Sequence, residues 1–348
     1  MSSASSILSG CLQRSYPSRS HMQEQRPSRA QTSAGENAVA DRALLGMVAR
    51  LYYLEDLPRV DIAERLGISR FKVARLLTRA REEGVVTIAV HDHGLPDPLL
   101  SEELRAALDL RECHVVRSHG TRDNVRQQLG AAAAEVLSAT LSDGEVLGLT
   151  WGRSLTATTS QLSALPRVTV VQLTGFVSGE MGASPVELVR EASQRAGGAV
   201  YPIFSPLFVK DAETADNLKQ HPDIQKALRL FPQVTTAVVS VGSWNPPVTQ
   251  VREVLAPDDV AHATARGCVA DVAGILVRED GSLVDPEFQR RTVSISHEEL
   301  HAVPRVMAVA GGEEKAEAIR AIAKAGLMTS LVTDHALAEA ALAAIRDE

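Results

Sequence analysis

The chain has 348 residues, of which 45% are hydrophobic and 23% are charged, and its formal net charge at pH 7 is −7. A chain of this length is too long for one small module and suits two domains, one small and one of about 200 to 250 residues. No apolar run reaches the roughly 18 to 20 residues that cross a bilayer, and no secretory signal pattern is evident. We therefore expect a cytoplasmic protein that does not span a membrane.

Cysteine and histidine give no sign of a disulfide framework or a metal site. Cys11, Cys113 and Cys268 are odd in number, far apart and without a Cys-x-x-Cys pair, so they are expected to be reduced thiols. The His-Asp-His run at 91–93 could bind a metal, but neighbouring side chains on an extended segment point in opposite directions and no third ligand is close in sequence. We expect no metal and no cofactor.

Residues 1–37 are predicted to be a disordered tail. They are Ser-rich, carry several arginines and show almost no apolar periodicity, so they cannot bury enough surface to offset the chain entropy. A transit peptide has a similar composition, and a start codon assigned too early, with Met22 as the true start, would give the same pattern. These alternatives stay open.

A helix-turn-helix domain is predicted over residues 41–93. Apolar residues between 44 and 54 recur at steps of three and four and indicate a supporting helix. The stretch Arg59–Arg81 then has the pattern of two short helices, with Gly67 at the turn between them and Ser69 as the N-cap of the second.

This stretch concentrates positive charge. It holds seven arginine or lysine side chains and two acidic ones, within a chain whose net charge is negative. Cations neutralise DNA phosphates, and exposed residues at the start of a recognition helix contact base edges. The structural alternative is an ordinary helical hairpin with a solvated basic face. The residues predicted to contact DNA are Arg59, Ser69, Arg70, Phe71, Lys72 and Arg75.

Beyond this pair, the sequence indicates a wing and then a linker. Residues 85–90 follow a glycine and are rich in β-branched side chains, as in the wing of a winged helix. A Gly- and Pro-rich break and a short amphipathic segment indicate a linker at 94–112, so the larger domain is expected at 113–348.

Residues 113–348 alternate between short apolar strands and amphipathic helices. A helical segment follows each predicted strand except the one at 269–277. This indicates a Rossmann-like α/β fold, with a mostly parallel sheet covered on both faces and a ligand pocket at the carboxyl ends of its strands. The predicted strands are Cys113–Val116, Val146–Leu149, Val168–Leu173, Ala199–Ile203, Thr236–Val241, Val269–Val277, Val306–Ala310 and Ser330–Thr333.

The loop Thr150–Leu155 follows one of these strands and opens a helix. The first N–H groups of a helix lack helical partners and its dipole favours an anion, Gly152 permits close approach, and Arg153 and Ser154 add a charge and a hydroxyl. A phosphate would fit this loop. The alternative is that the glycine serves only the turn.

A second loop, Ala310–Lys315, also joins a strand to a helix. Its two glycines bring the backbone near a ligand, and Lys315 would direct an ammonium group at the same anion. In the alternative, Lys315 is solvated and paired with Glu313 or Glu314. Asp271 lies in an apolar run, and because an unpaired buried carboxylate is costly, it is expected at a strand end beside a cation or hydrogen-bonded to ligand hydroxyls.

Six segments carry a resemblance to a known family: LGISRFKVARLLTRAREEG at 66–84, GLTWGRSL at 148–155, QLTG at 172–175, GCVADVAG at 267–274, VPRVMAVAGGEEKAEAI at 303–319 and LVTDHALAEAAL at 331–342. In this order they resemble the SorC family of bacterial transcriptional regulators. These proteins join an N-terminal helix-turn-helix to a sugar-phosphate-binding domain that is similar to sugar-phosphate isomerases.

The resemblance implies a regulator of a carbohydrate-utilisation operon, a homodimer or homotetramer that binds double-stranded operator DNA and a phosphorylated sugar. By matching positions it implies that the 150–155 loop cradles the phosphate with help from Lys315, and that Asp271 meets the sugar together with Thr174 and Gly175. The residues expected to bind the effector are Thr150, Gly152, Arg153, Ser154, Leu155, Thr174, Gly175, Asp271 and Lys315.

One position departs from the family pattern. Gly242, Ser243 and Trp244 stand where the family more often has Gly-Ile-Gly. An indole here would either narrow the pocket or offer a surface on which the sugar stacks.

Two other functions stay open beside a DNA-binding regulator. A sugar-phosphate isomerase or deacylase that carries a helix-turn-helix needs a general base and an acid near the substrate, yet no close carboxylate–histidine pair is evident, since His297 and His301 fall in a polar helix. Alternatively, the larger domain is an oligomerisation module with a vestigial pocket. The prediction is a regulator, not an enzyme.

Overall fold

The computed structural model describes residues 42–86, 94–177 and 185–346. They belong to two compact units, residues 1–90 and 91–348. No helix among the described residues is long and apolar enough to cross a membrane.

The first unit contains three described helices: α1 over residues 42–53, α2 over Arg59–Leu66 and α3 over Arg70–Glu82. α2 ends at Gly67, whose φ of 64° favours glycine, and the Ser69 side chain caps the first turn of α3. This is the predicted helix-turn-helix pair. Its core is formed by Leu45, Val48, Ala49, Leu51, Ile62, Ala63, Val73, Leu76, Leu77 and Ala80.

Several predictions fall outside the described residues. These are the tail at 1–37, the last four wing residues at 87–90 and the His-Asp-His run at 91–93. Val85 and Val86, which begin the predicted wing, are half-buried against the core of the first unit.

The second unit is a mixed α/β domain. Its strands are β1 (Leu95–Pro96), β2 (Glu112–Arg117), β3 (Val146–Leu149), β4 (Thr169–Gln172), β5 (Val200–Tyr201), β6 (Thr236–Ser243), β7 (Cys268–Val272), β8 (Ile275–Arg278), β9 (Arg305–Val309) and β10 (Ser330–Asp334). Its helices are α4 (Pro98–Ala107), α5 (Arg122–Thr140), α6 (Arg153–Gln161), α7 (Pro185–Ala196), α8 (Ala212–Lys219), α9 (Pro222–Leu228), α10 (Val251–Val254), α11 (Pro257–Ala265), α12 (Pro286–Arg290), α13 (His297–Ala302), α14 (Ala316–Lys324) and α15 (His335–Arg346), with short 3₁₀ helices at Phe231–Gln233 and Glu313–Lys315.

The described strands form one sheet in the order β1-β2-β10-β9-β6-β3-β4-β5. Neighbours from β2 to β5 pair in parallel, and β1 is an antiparallel edge on β2. Because the strands are parallel, their carboxyl ends meet at one edge, and the loops there lie close together although they are distant in sequence.

Helices cover both faces of this sheet. Adjacent residues of a strand point to opposite faces, and the core divides accordingly. Val239 and Ala308 belong to one apolar cluster with α14 and α15, whereas Val238 and Met307 belong to another with α5, α6 and α7. The predicted parallel α/β architecture is confirmed.

Two predicted segments differ from the structure. The strand expected at 269–277 is a hairpin, in which β7 and β8 turn at Ala273 and Gly274, both with positive φ, and β7 pairs antiparallel with the end of β6. The segment 94–112, expected as a linker, is folded into the second unit, because its apolar residues Leu104, Leu108 and Leu110 are buried in the core.

Candidate functional site

A cavity of about 480 Å³ lies at the carboxyl ends of β2, β3, β6, β9 and β10. This is where a parallel α/β sheet is expected to bind a ligand. The residues that line it come from the segments 120–129, 150–154, 240–250, 271–274, 311–315 and 334–336.

The loop after β3 brings the start of α6 to the cavity. Gly152 has a φ of 139°, and a Cβ there would lie 2.9 Å from the Ser240 side chain, so only glycine fits. Thr150 anchors the loop, because its N–H donates to the Val238 carbonyl over 3.1 Å. Thr150, Gly152, Arg153 and Ser154 all line the cavity. The first N–H groups of α6 are therefore near the cavity without a side-chain cap.

Lys315 is buried at the wall of the cavity, with 8% of its surface exposed. Its Nζ donates a hydrogen bond to the Val241 carbonyl over 2.6 Å. Burial lowers the pKa of Lys315 to about 8, against the opposing effect of the Asp271 carboxylate. The alternative of a solvated surface lysine is wrong, since the loop after β9 turns the side chain inward.

Asp271 is the buried acidic counterpart of this lysine. It lies on β7 opposite Gly242 of β6, and a Cβ at Gly242 would fall 2.2 Å from Asp271 Oδ1. That oxygen has no hydrogen-bond partner within the described residues. Burial raises the pKa of Asp271 to about 6, although a hydrogen bond from Thr249 and the charge of Lys315 oppose the shift. Asp271 thus lies in the cavity beside a cation, with one oxygen able to accept from a ligand hydroxyl.

The residues that line the cavity and that the sequence reasoning missed include Arg122, Arg126, Gln250 and Asp334. Asp334, at the end of β10, accepts hydrogen bonds from the N–H groups of Gly312 and Leu337 over 3.0 and 2.8 Å. Burial raises the pKa of Asp334. The available signal was their position, because Arg122 and Arg126 follow β2 and Asp334 ends β10, and the carboxyl ends of both strands lie at the cavity.

Three residues expected at the effector do not line this cavity. Leu155 is buried in the apolar cluster on one face of the sheet. Thr174 forms a β-bridge with Ser294, and Gly175 donates its N–H to the Val293 carbonyl over 2.7 Å. Thr174 and Gly175 therefore pair with the segment 293–294 and are not among the residues that line the cavity.

Trp244 neither narrows the cavity nor offers a stacking surface. Only 1% of it is exposed, and its indole N–H donates to Thr264 Oγ1 over 2.9 Å. It belongs to a separate apolar cluster with Val251 and Phe288. Both consequences expected from this departure are therefore wrong.

The first unit presents the predicted DNA contacts on its surface. Arg59, Ser69, Arg70, Phe71, Lys72 and Arg75 are all exposed. Arg59 lies over the ring of Tyr52 at 5.5 Å, and Arg70 over that of Phe71 at 5.0 Å. The opposite side of α3, including Val73 and Leu76, is buried in the core. The helix therefore offers a cationic, solvent-facing side, as reading DNA requires.

Comparison with known proteins agrees with this architecture. Residues 97–343 match the family described as "Putative sugar-binding domain". The transcriptional regulator LsrR of Enterobacter sp. (strain 638) is 31% identical over 316 residues, which cover 88% of this chain and 94% of that protein. The sorbitol operon regulator of Klebsiella pneumoniae is 26% identical over 308 residues, or 86% of this chain and 97% of that protein.

A solved structure shows the same fold. The full-length sorbitol operon regulator SorC from Klebsiella pneumoniae matches with a TM-score of 0.65 at 24% identity, over 86% of this chain and 98% of that chain.

Proposed function

This chain belongs to the SorC family of transcriptional regulators with a sugar-binding domain, and from this membership we propose that its effector is a phosphorylated sugar bound in the cavity of the second unit. The sugar controls the affinity of α3 for operator DNA. The regulated genes are expected to serve the uptake or use of that sugar.

The burial of Lys315 beside the start of α6 carries the proposal. An ammonium group held in a cavity wall loses hydration, and an anion that binds beside it restores the lost interaction. The N–H groups of the first turn of α6 and the exposed charge of Arg153 line the same cavity. Together they form a site for a dianionic phosphate.

The rest of the cavity suits a polyhydroxylated group. Asp271 leaves Oδ1 free to accept, and Gln250 adds an amide that can both donate and accept. A volume of about 480 Å³ lies within the range of small-molecule sites. A sugar bound through its phosphate at Lys315 would place hydroxyls at these groups.

The proposed regulator acts as a homo-oligomer. A dimer would place two α3 helices in successive major grooves, and a sugar that binds one arrangement of the subunits more tightly would shift the population toward it. The factor by which the sugar changes operator affinity can then be no larger than the ratio of its affinities for the two arrangements.

Isothermal titration of the full chain with phosphorylated sugars and their unphosphorylated counterparts tests the effector proposal. At least one phosphosugar is expected to bind, and Lys315→Met should weaken it roughly 30-fold or more, because a charge-assisted hydrogen bond is lost. Lys226→Met is the matched control, since Lys226 is exposed and paired with Asp223. Equal affinity of the parent and Lys315→Met for every phosphosugar bound would contradict the proposal.

One observation favours a second function, sugar-phosphate isomerisation. Burial brings the pKa of Asp271 to about 6 and that of Lys315 to about 8, values suited to a general base and a general acid at neutral pH. Turnover of any bound phosphosugar, followed by NMR and abolished in Asp271→Asn, would establish this activity. No turnover by the parent protein would exclude it for the sugars tested.

A further inference from the structure

Phe71 is an apolar side chain on the solvent-facing side of α3, where it does not pack against the core of the first unit. It lies in the first turn of α3 with 69% of its surface exposed, whereas Val73, Leu76 and Leu77 of the same helix are buried. An exposed phenylalanine leaves a large apolar area in water. Packing among residues 42–86, the part of the first unit that the structure describes, does not account for it.

The helical geometry places Phe71 at the centre of the outward side. At about 100° per residue, Phe71, Arg75 and Thr78 form one stripe roughly opposite the buried stripe of α3. All three are exposed. If α3 enters a groove, this stripe enters deepest, and Phe71 is the member nearest the N-terminus, where recognition helices contact base edges.

The neighbouring residues hold the ring in place. Ser69 caps the first turn, with its Oγ accepting from the Lys72 N–H over 3.2 Å. The guanidinium of Arg70 lies over the Phe71 ring at 5.0 Å. Cation–π stacking on one side orders the ring and leaves its other side and its edge for a partner.

The chemistry of the major groove identifies that partner. A phenyl ring can neither donate nor accept a conventional hydrogen bond, so it cannot read the N7, O6, O4 or amino groups of the bases. The one apolar group that the major groove presents is the C5 methyl of thymine. On the premise that α3 reads DNA as proposed above, we infer that Phe71 selects a thymine in each operator half-site through contact with this methyl group.

The expected size of the effect is modest and measurable. Burial of one methyl or methylene group changes an equilibrium constant by roughly fourfold at 25 °C. Each contacted thymine should therefore contribute a factor of about four to operator affinity. The contribution should vanish when either the methyl or the ring is removed.

The test uses the full chain and an operator selected by it from a random duplex library. Each thymine of that operator is replaced in turn by uracil, which removes only the methyl group, and affinity is measured by fluorescence anisotropy. We expect one thymine in each half-site at which uracil weakens binding by the parent protein about fourfold. In Phe71→Ala the thymine and uracil duplexes should bind equally.

Two further variants keep the result decisive. Phe71→Gln has a long polar side chain and should also bind the thymine and uracil duplexes equally. This variant replaces Phe71→Ala in the test if Phe71→Ala binds DNA too weakly to measure. Lys72→Ala should weaken both duplexes alike and keep the fourfold ratio, since the Lys72 side chain is not the group expected to contact the methyl group.

The outcomes separate this inference from the proposed function. Two results would overturn the role of Phe71 and leave DNA reading by α3 intact. In the first, the protein binds DNA selectively but uracil weakens binding at no position. In the second, uracil weakens binding by the Phe71 variants as much as it weakens binding by the parent. If selection with the full chain enriched no sequence, DNA reading itself would fail.

Discussion

The two candidate sites carry similar side chains in opposite surroundings. On α3, Arg70, Lys72 and Arg75 are exposed to solvent, where water and salt screen each charge. In the cavity of the second unit, Lys315 and Asp271 are buried, and desolvation brings both pKa values toward neutrality. Each exposed cation therefore contributes little to binding and many are needed, whereas a single buried charge can contribute much.

Under the proposed function, this difference suits the two units to separate tasks. A screened cationic side binds a polyanion with an affinity that depends on salt and only weakly on any one residue. A cavity lined by two buried ionisable side chains with altered pKa values binds one small ligand with an affinity that depends on pH and strongly on single residues. Each prediction below tests one side of this contrast, beginning with the largest effect.

The largest effect is expected for Gly152→Ala. The added Cβ would meet Ser240 at 2.9 Å in a backbone conformation that alanine disfavours, so the loop must move away from the phosphate. Losing its N–H contacts should weaken phosphosugar binding about 100-fold by calorimetry. Gly197→Ala is the control, because Gly197 also has positive φ but has nothing within 4 Å of its Cβ position. Similar losses in both variants would mean that backbone strain, and not the loop position, is responsible.

The next effect concerns stability and Asp271. Burial raises the pKa of Asp271 from its ordinary value of 3.8 to about 6 in the folded protein, so the folded state takes up this proton more readily than the unfolded state does. Its ionisation therefore destabilises the fold above pH 6, and this cost is relieved as the pH falls from 6 toward 4. At pH 7, urea denaturation should give Asp271→Asn a free energy of unfolding higher than that of the parent by on the order of 2 kcal/mol. This difference in free energy should be smaller at pH 4.5. A gap that does not change with pH would show that Asp271 is not desolvated.

A smaller effect is expected in the pH dependence of effector binding. Lys315 has a pKa of about 8 in the free protein, so its charge is present below pH 8 and lost above it. Phosphosugar affinity should be flat between about pH 7 and 8 and then fall by up to roughly tenfold per pH unit. In Lys315→Met the affinity should be weak and show no break near pH 8. A parent protein whose affinity is constant up to pH 9.5 would contradict the assignment of the phosphate to Lys315.

The smallest effects are expected on α3. Arg70→Ala and Lys72→Ala should each weaken operator binding several-fold and lower the slope of log affinity against log salt by about one, while phosphosugar affinity is retained. Arg229→Ala is a suitable control, since this arginine lies in the second unit at the end of α9. Unchanged operator affinity in gel-shift titrations of both variants would remove α3 as the DNA-reading helix.

Local pattern was sufficient to predict much of this molecule. The ends of β3, at Val146–Leu149, follow directly from an apolar run and from the residues that bound it. The capped start of α3 at Ser69 is equally local. These features depend on residues within one or two turns of each other, and sequence shows such residues directly.

What escaped prediction depends on residues far apart in the chain. Arg126 and Asp334 reach the cavity because β2, β10 and β9 are neighbours in the sheet, an order that no local pattern encodes. The burial of Lys315 likewise depends on β6, whose Val241 carbonyl accepts its hydrogen bond. Trp244 was misplaced because its partner Thr264 lies on a helix twenty residues on.

The central claim is that a phosphorylated sugar bound in the cavity of the second unit controls the affinity of α3 for operator DNA. The most direct test measures the affinity of the full chain for a duplex from its own promoter region by fluorescence anisotropy, with and without each phosphosugar that binds by calorimetry. The account predicts that at least one of them changes operator affinity, about fivefold or more, and that Lys315→Met does not respond at the same concentration. Operator affinity that stays the same while the cavity is saturated would contradict it.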